Sequence, residues 1–307
     1  MPAPTRFPAR LTSTLAAAAI AAIALSGCAP EPEAPVDPTP ASETSTPPAT
    51  SPAAPEPTPD PASEVRADLQ GLSTAELNTR LIAAAWADDV AEATDLITAG
   101  ADVNAQDETV QSAYLIATSE GYDDLLALTL AHGADLASLD SYHGTGLIRA
   151  AERGHTTVVG TLIQQGISID HINNYGYVAL HEALIYAKPD QVQQYQDTAR
   201  VLIAAGADLS IATGNTSQTP SMLAEQYGLG RQASLIARAI HSPIPGADAQ
   251  ATLFRAASTG DPDLTALALR AGAAISTPDT NGQTALALAT ANNHPVTITL
   301  LTALGAQ

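Results

Sequence analysis

Four of the chain's seven histidines, His143, His155, His171 and His181, lie close together in its centre and invite a test for metal binding. No His-x₃-His pair falls on one helix and no cysteine stands near them, so the pattern does not supply a zinc ligand set. The acidic pairs Asp88-Asp89, Asp123-Asp124 and Asp261/Asp263 are the next candidates. A glycosidase reading of them has nothing behind it but the presence of acids. They fall where one helix turns into the next, which suits capping of the second helix and its dipole. A Gly-rich phosphate loop with Lys, a nucleophile elbow and a His-Glu-x-x-His helix are all missing. No catalytic residue, cofactor or metal is expected from these patterns, and the chain is not read as an enzyme.

Charge narrows the partners. Twelve Lys and Arg stand against 32 Asp and Glu, a net charge of −20, and Lys188 is the single lysine. Neutralising a phosphate backbone needs clustered basic residues, so nucleic acid is excluded as a partner. The acidity suits either a well-solvated surface or the steering of a partner with a basic surface. Phe and Trp are scarce and Ala abundant. A core built this way needs helices pressed closely together.

The N-terminal sixty residues differ from the rest. Arg6 and Arg10 precede an apolar run from Leu15 to Leu25, too short to span a bilayer and shaped like a secretory signal, which sets 1–27 apart as a signal peptide. The run ends in Leu25-Ser26-Gly27-Cys28, which resembles the lipobox of bacterial lipoproteins. That resemblance implies a diacylglycerol thioether on Cys28, the only cysteine, and anchorage to the extracytoplasmic face of the cell membrane or to a periplasmic leaflet. Residues 28–63 then form a spacer holding 12 of the 22 prolines and no aromatic residue from Ala29 to Ser63. Such a composition predicts disorder with PPII character, holding the folded part off the membrane.

Residues 64–307 carry a repeat. Gly100, Gly133, Gly166, Gly206, Gly272 and Gly305 are spaced by 33, 33, 40, 66 and 33, and Ala239 stands where a seventh mark would fall. Alanines at 84, 117, 150, 183, 224, 256 and 289 repeat the count. Each unit reads as a first helix such as 146–153, a Gly-His turn, a second helix such as 157–165, a glycine and a polar connection. Glycine there suits a left-handed residue that closes a helix. Ser73-Thr74-Ala75-Glu76 reads as a capping box opening the first helix.

The motifs Ala99-Gly100-Ala101-Asp102-Val103-Asn104-Ala105, His132-Gly133-Ala134-Asp135-Leu136, Ala205-Gly206-Ala207-Asp208-Leu209 and Asn281-Gly282-Gln283-Thr284-Ala285-Leu286 resemble ankyrin repeats over roughly Leu72 to Gly305. The resemblance implies an all-α solenoid of about seven helix-turn-helix repeats with β-hairpin-like connections. The Thr-Pro-Leu-His box is intact nowhere. The fifth unit, with a short second helix expected near 231–239, is the weak point of the stack. An insertion of seven falls in unit four, at 187–196, and reads as a functional loop or as a tolerated extension. Histidines 155 and 181 take positions the family uses for hydrogen bonds between repeats.

Ankyrin stacks bind proteins through their hairpin tips and the concave row of first helices. Carried onto this sequence, those positions hold Tyr142, Tyr175, Tyr177, Tyr186 and Tyr227, five of the eight tyrosines, with Glu152, Arg153 and Asn174 beside them. Tyrosine combines a large contact area, few rotatable bonds and a hydrogen-bonding end, the qualities of a binding hot spot. The expected function is therefore a membrane-anchored, monomeric protein that binds another protein. A passive organiser of the cell envelope, or a hydrolase with an unrecognised acidic site, stands as the alternative.

Overall fold

Helix starts are written into the chain by hydroxyl residues. In a computed structural model that describes residues 65–307, Ser73, Ser112, Thr145, Thr219 and Thr284 each accept a hydrogen bond from a backbone N–H three residues on. Each thereby satisfies one of the donors that a helix start leaves open, an effect of about 1 kcal/mol. At Ser73 the expected capping box is complete, with Glu76 accepting from the Ser73 N–H at 2.9 Å. The helices that follow come in seven consecutive pairs: α1 (Thr74–Trp86) with α2 (Val90–Thr98), α3 (Ala113–Glu120) with α4 (Asp123–Ala131), α5 (Gly146–Arg153) with α6 (Thr156–Gln164), α7 (Ala179–Ile185) with α8 (Val192–Ala204), α9 (Pro220–Gln226) with α10 (Gly230–His241), α11 (Gly246–Thr259) with α12 (Pro262–Arg270), and α13 (Ala285–Ala291) with α14 (Pro295–Ala303). The signal peptide, Cys28 and the spacer lie outside the described residues.

The period-marking alanines earn their place in the packing. Ala117, Ala150, Ala183, Ala224, Ala256 and Ala289 are all fully buried, and Ala84 nearly so. A methyl side chain at each lets successive first helices come close, and Leu, Ile and Val fill the remaining space. The six period glycines all adopt positive φ, between +83° and +106°. Between units the chain makes tight turns in place of strands. Asp140 shows the mechanism: its Oδ1 accepts from the N–H groups of Tyr142 and Gly144 at 2.8 Å each, while its own N–H donates to Gly144 O. Asp107 and Asp279 do the same, and Asn173 does so in unit four. The hairpin-like connections are thus Asx-type turns, and one isolated bridge, Leu139 to Thr145, is the only β pairing among the described residues.

Histidine binds neighbouring units together as the family resemblance implies. His155 Nε2 lies 3.0 Å from Ser119 O, His181 Nε2 lies 3.0 Å from Ile211 O, and His294 repeats the arrangement on Ser258 O.

Two expectations about individual elements need correction. The second helix of unit five is long, Gly230–His241, because no glycine closes it until Ser242-Pro243-Ile244-Pro245 stops it. The insertion in unit four is not a free loop. A 3₁₀ turn at Pro189–Gln191 leads into a lengthened α8, and Tyr195 is wholly buried with its hydroxyl donating to Glu152 O at 3.0 Å.

The regular stacking stops after unit five. First helices α1, α3, α5, α7 and α9 pack in sequence, as do second helices α2, α4, α6, α8 and α10. The row then ends, and α11 to α14 build a second small core around Leu253, Ala257, Ala268, Ala285 and Leu301. Units six and seven turn back, so that α12 packs on α8 and α14 packs on α6 and α8. Arg200 of the lengthened α8 is 3% exposed, and it bridges Asp197 at 2.6 Å and Asp263 of α12 at 2.5 Å. Arg270 donates to the carbonyls of Ile203 and Ala207 at 3.0 and 2.9 Å, at the carbonyl-rich end of α8. Gln164 Nε2 donates to Ala303 O at 2.8 Å, and a Cβ on Gly160 would run into that same carbonyl. The second-helix side of units three and four is therefore covered by the chain itself.

Candidate functional site

The uncovered side of units three to five holds a cleft of about 600 Å³. Its position follows from the turns. Asn174 N–H donates to Tyr142 O at 3.0 Å and Gly214 N–H donates to Gly176 O at 3.1 Å, so the three hairpin tips are tied into one row. Gly176 and Gly214 approach so closely that a side chain at Gly176 would collide with the Gly214 backbone. That row aims the tyrosines. Tyr142 and Tyr175 meet with ring centroids 5.5 Å apart, and Tyr175 stacks on Tyr177 at 6.2 Å. Tyr177 accepts from Asn215 Nδ2 at 2.8 Å and meets the His181 ring edge-on. Tyr186, at the end of α7, completes the lining, and Tyr142, Tyr175 and Tyr186 remain about half exposed.

Beneath the tyrosines lies a charged floor. Arg149 of α5 bonds Glu152 one turn on and lies 3.4 Å from Asp140. Glu182 of α7 is 4% exposed, and its Oε1 accepts from Asn173 Nδ2 at 3.0 Å. Among the described residues no hydrogen-bond donor reaches Glu182 Oε2. Burial, with the nearby negative charge of Glu152, pushes the Glu182 carboxyl up to about 7. Burial likewise raises the Tyr186 hydroxyl, helped by Glu182 and Glu152. Three carboxyls thus face one guanidinium.

Of the residues picked out in the sequence, Tyr142, Glu152, Tyr175, Tyr177 and Tyr186 line this cleft. Asn174 is exposed at its hairpin tip and contributes backbone only. Arg153 points away and bonds Glu120 Oε1 at 2.9 Å, joining units two and three. Tyr227 caps the end of α9, is 45% exposed and does not line the cleft. Sequence reasoning missed Asp140, Arg149, Asn173, Glu182 and Asn215. A signal did exist for Glu182: it follows His181 on a short helix whose other early positions are Ala and Leu, so it shares a buried helix with no charged neighbour to pair it. Among the described residues no cluster of His, Cys, Asp and Glu is arranged to hold a metal ion.

Comparison with known proteins identifies the repeats. The family profile for ankyrin repeats (3 copies) matches residues 81–173 and 114–213. Over 142 residues the chain is 32% identical to the ankyrin repeat protein YahD of Escherichia coli (strain K12), spanning 46% of this chain and 69% of YahD. It is also 26% identical over 211 residues to a Danio rerio protein with the name palmitoyltransferase ZDHHC13, of which it spans only 32% against 67% of its own length. An ankyrin repeat domain from Acinetobacter baumannii AYE is a solved neighbour at 42% identity, covering 52% of this chain and 80% of that one with a TM-score of 0.48. The chain belongs to the ankyrin-repeat family. Its class is the helical repeat scaffold, a fold that commonly serves protein–protein interaction.

Proposed function

We propose that this protein is a non-catalytic binding module that captures a protein partner in the cleft between its third, fourth and fifth units. One observation carries the reading: four tyrosines from two hairpin connections and the end of α7 converge on one open cleft, while the second-helix side of units three and four is covered by the chain's own C-terminal helices. Aromatic side chains that stay half exposed on a rigid backbone lose little entropy when a partner covers them. The lipobox-like Leu25-Ser26-Gly27-Cys28 and the Pro-rich spacer support placing this module at an extracytoplasmic membrane surface, tethered by lipid on Cys28.

The test substitutes Tyr175→Ala and Tyr186→Ala together. Both rings are about half exposed, so the melting temperature should move by no more than a few degrees, while partner capture from a membrane extract is lost. Tyr177 is left in place because its hydroxyl bond to Asn215 gives it a structural share. Undiminished capture by the double variant would remove the cleft from the interaction.

A further inference from the structure

Among the described residues Glu182 is a buried acid that makes no salt bridge. The residue is more than nine-tenths buried, one carboxyl oxygen accepts from Asn173, and the other, with no protein donor among the described residues, opens onto the cleft. Arg149, the nearest cation, is already engaged by Glu152 and Asp140. The titratable groups that share the cleft with Glu182 are Arg149 and Glu152 on α5, Asp140 and Tyr177 on the hairpins, and Tyr186 at the end of α7. His181 adds no charge, since its Nδ1 accepts from the Val178 N–H and burial lowers its basicity. A cluster with excess negative charge therefore sits beneath a row of tyrosines.

Each feature asks for the same occupant. Carboxylates pair with a cation, electron-rich tyrosine rings beside it favour it, and a guanidinium or ammonium supplies the N–H donor that Glu182 Oε2 lacks. Resting on the binding-module reading above, we infer that the cleft is a pocket for one basic side chain, Arg or Lys, presented by the partner polypeptide. The half-exposed tyrosines line an opening that a side chain on a chain can enter, and the net charge of −20 favours the approach of a basic segment. The occupant supplies the missing counter-charge, so binding is coupled to loss of the Glu182 proton and strengthens as pH rises through about 7.

The test titrates the full chain with the acetylated, amidated tripeptides Gly-Arg-Gly and Gly-Lys-Gly, and with Gly-citrulline-Gly as the uncharged match. The readout is the NMR signals of the cleft tyrosines. Arg and Lys peptides are expected to bind at least tenfold more tightly than the citrulline peptide. Their affinity is expected to rise about tenfold from pH 6 to pH 8, as the ionised fraction of a group near 7 grows from about one tenth to nine tenths. Glu182→Gln should weaken the cationic peptides about tenfold and leave the citrulline peptide unchanged. Equal binding of citrulline, indifference to Glu182→Gln, or no binding by any peptide overturns the inference. Tighter binding of tetramethylammonium alone than of either peptide would replace the side chain by a free ammonium ion, and overturns it too. If capture still depends on Tyr175 and Tyr186 while cationic peptides fail, the cleft remains the binding site and only the cation is wrong. If capture ignores the tyrosines, both readings fall.

Discussion

Replacing Glu182 by Gln should make the protein more stable at pH 8 and leave its stability unchanged at pH 4. The unfolded chain ionises this carboxyl at its ordinary value of 4.5, and the folded chain does so at about 7. Between those values the native state holds a proton that the unfolded state has released, so native stability falls as pH rises from about 4.5 to about 7, and the loss is complete above. At about 1.4 kcal/mol per pH unit the difference amounts to about 3 kcal/mol. Contact between the carboxyl and the open cleft lets water recover part of it, so an increase of about 1–3 kcal/mol is expected for Glu182→Gln at pH 8. Glutamine keeps an oxygen for Asn173 Nδ2, so the substitution removes charge while preserving shape. Urea unfolding of both proteins at pH 4, 6 and 8, followed by helical circular dichroism, measures the effect. Equal stabilities at pH 8, or a less stable variant, would show that the carboxyl is not a buried, under-compensated charge and would remove the reason for expecting a cation there.

Other substitutions probe the turn-back of units six and seven. Gly160→Ala should destabilise by about 1–3 kcal/mol through overlap with Ala303 O, although the same exchange inside an exposed helix would stabilise by about 1 kcal/mol, so the sign of the change in a urea melt decides whether α14 lies on α6. Arg200→Ala leaves the carboxylates of Asp197 and Asp263 without their buried partner and should cost about 3–5 kcal/mol by the same measurement, most of it regained when Asp263→Asn and Asp197→Asn are added. Cys28→Ala should move the full chain from the membrane pellet to the soluble fraction on cell fractionation, and persistence in the pellet would dismiss the lipid anchor.

The ankyrin units were legible because the signals that define them are local. Glycines that close second helices, alanines that let first helices touch, and hydroxyl residues that open helices each act within a few positions, so a period of 33 exposes them directly. The tyrosine half of the cleft was legible for a related reason, since Tyr142, Tyr175, Tyr177 and Tyr186 occupy tip and first-helix positions fixed by that period. Its acidic floor was not. Asp140 and Asn173 look like ordinary turn formers, and the importance of Glu182 depends on what Arg149 already binds, a contact between helices that no spacing reveals. The turn-back was not read: Ala239 in place of a glycine marked unit five as irregular and nothing more. Where the last four helices then settle depends on Gly160, the longer α8 and Arg200, which meet α12 and α14 across 60 to 140 positions of chain.

The most direct measurement is site-specific photo-crosslinking in intact cells, with benzoylphenylalanine in place of Tyr175 in one strain and in place of Gln193, on the opposite helix row, in another. A discrete adduct to one polypeptide from position 175, diminished by Glu182→Gln and absent from position 193, is the expected result. The same adducts from both positions, or none from 175, would contradict capture in the tyrosine cleft.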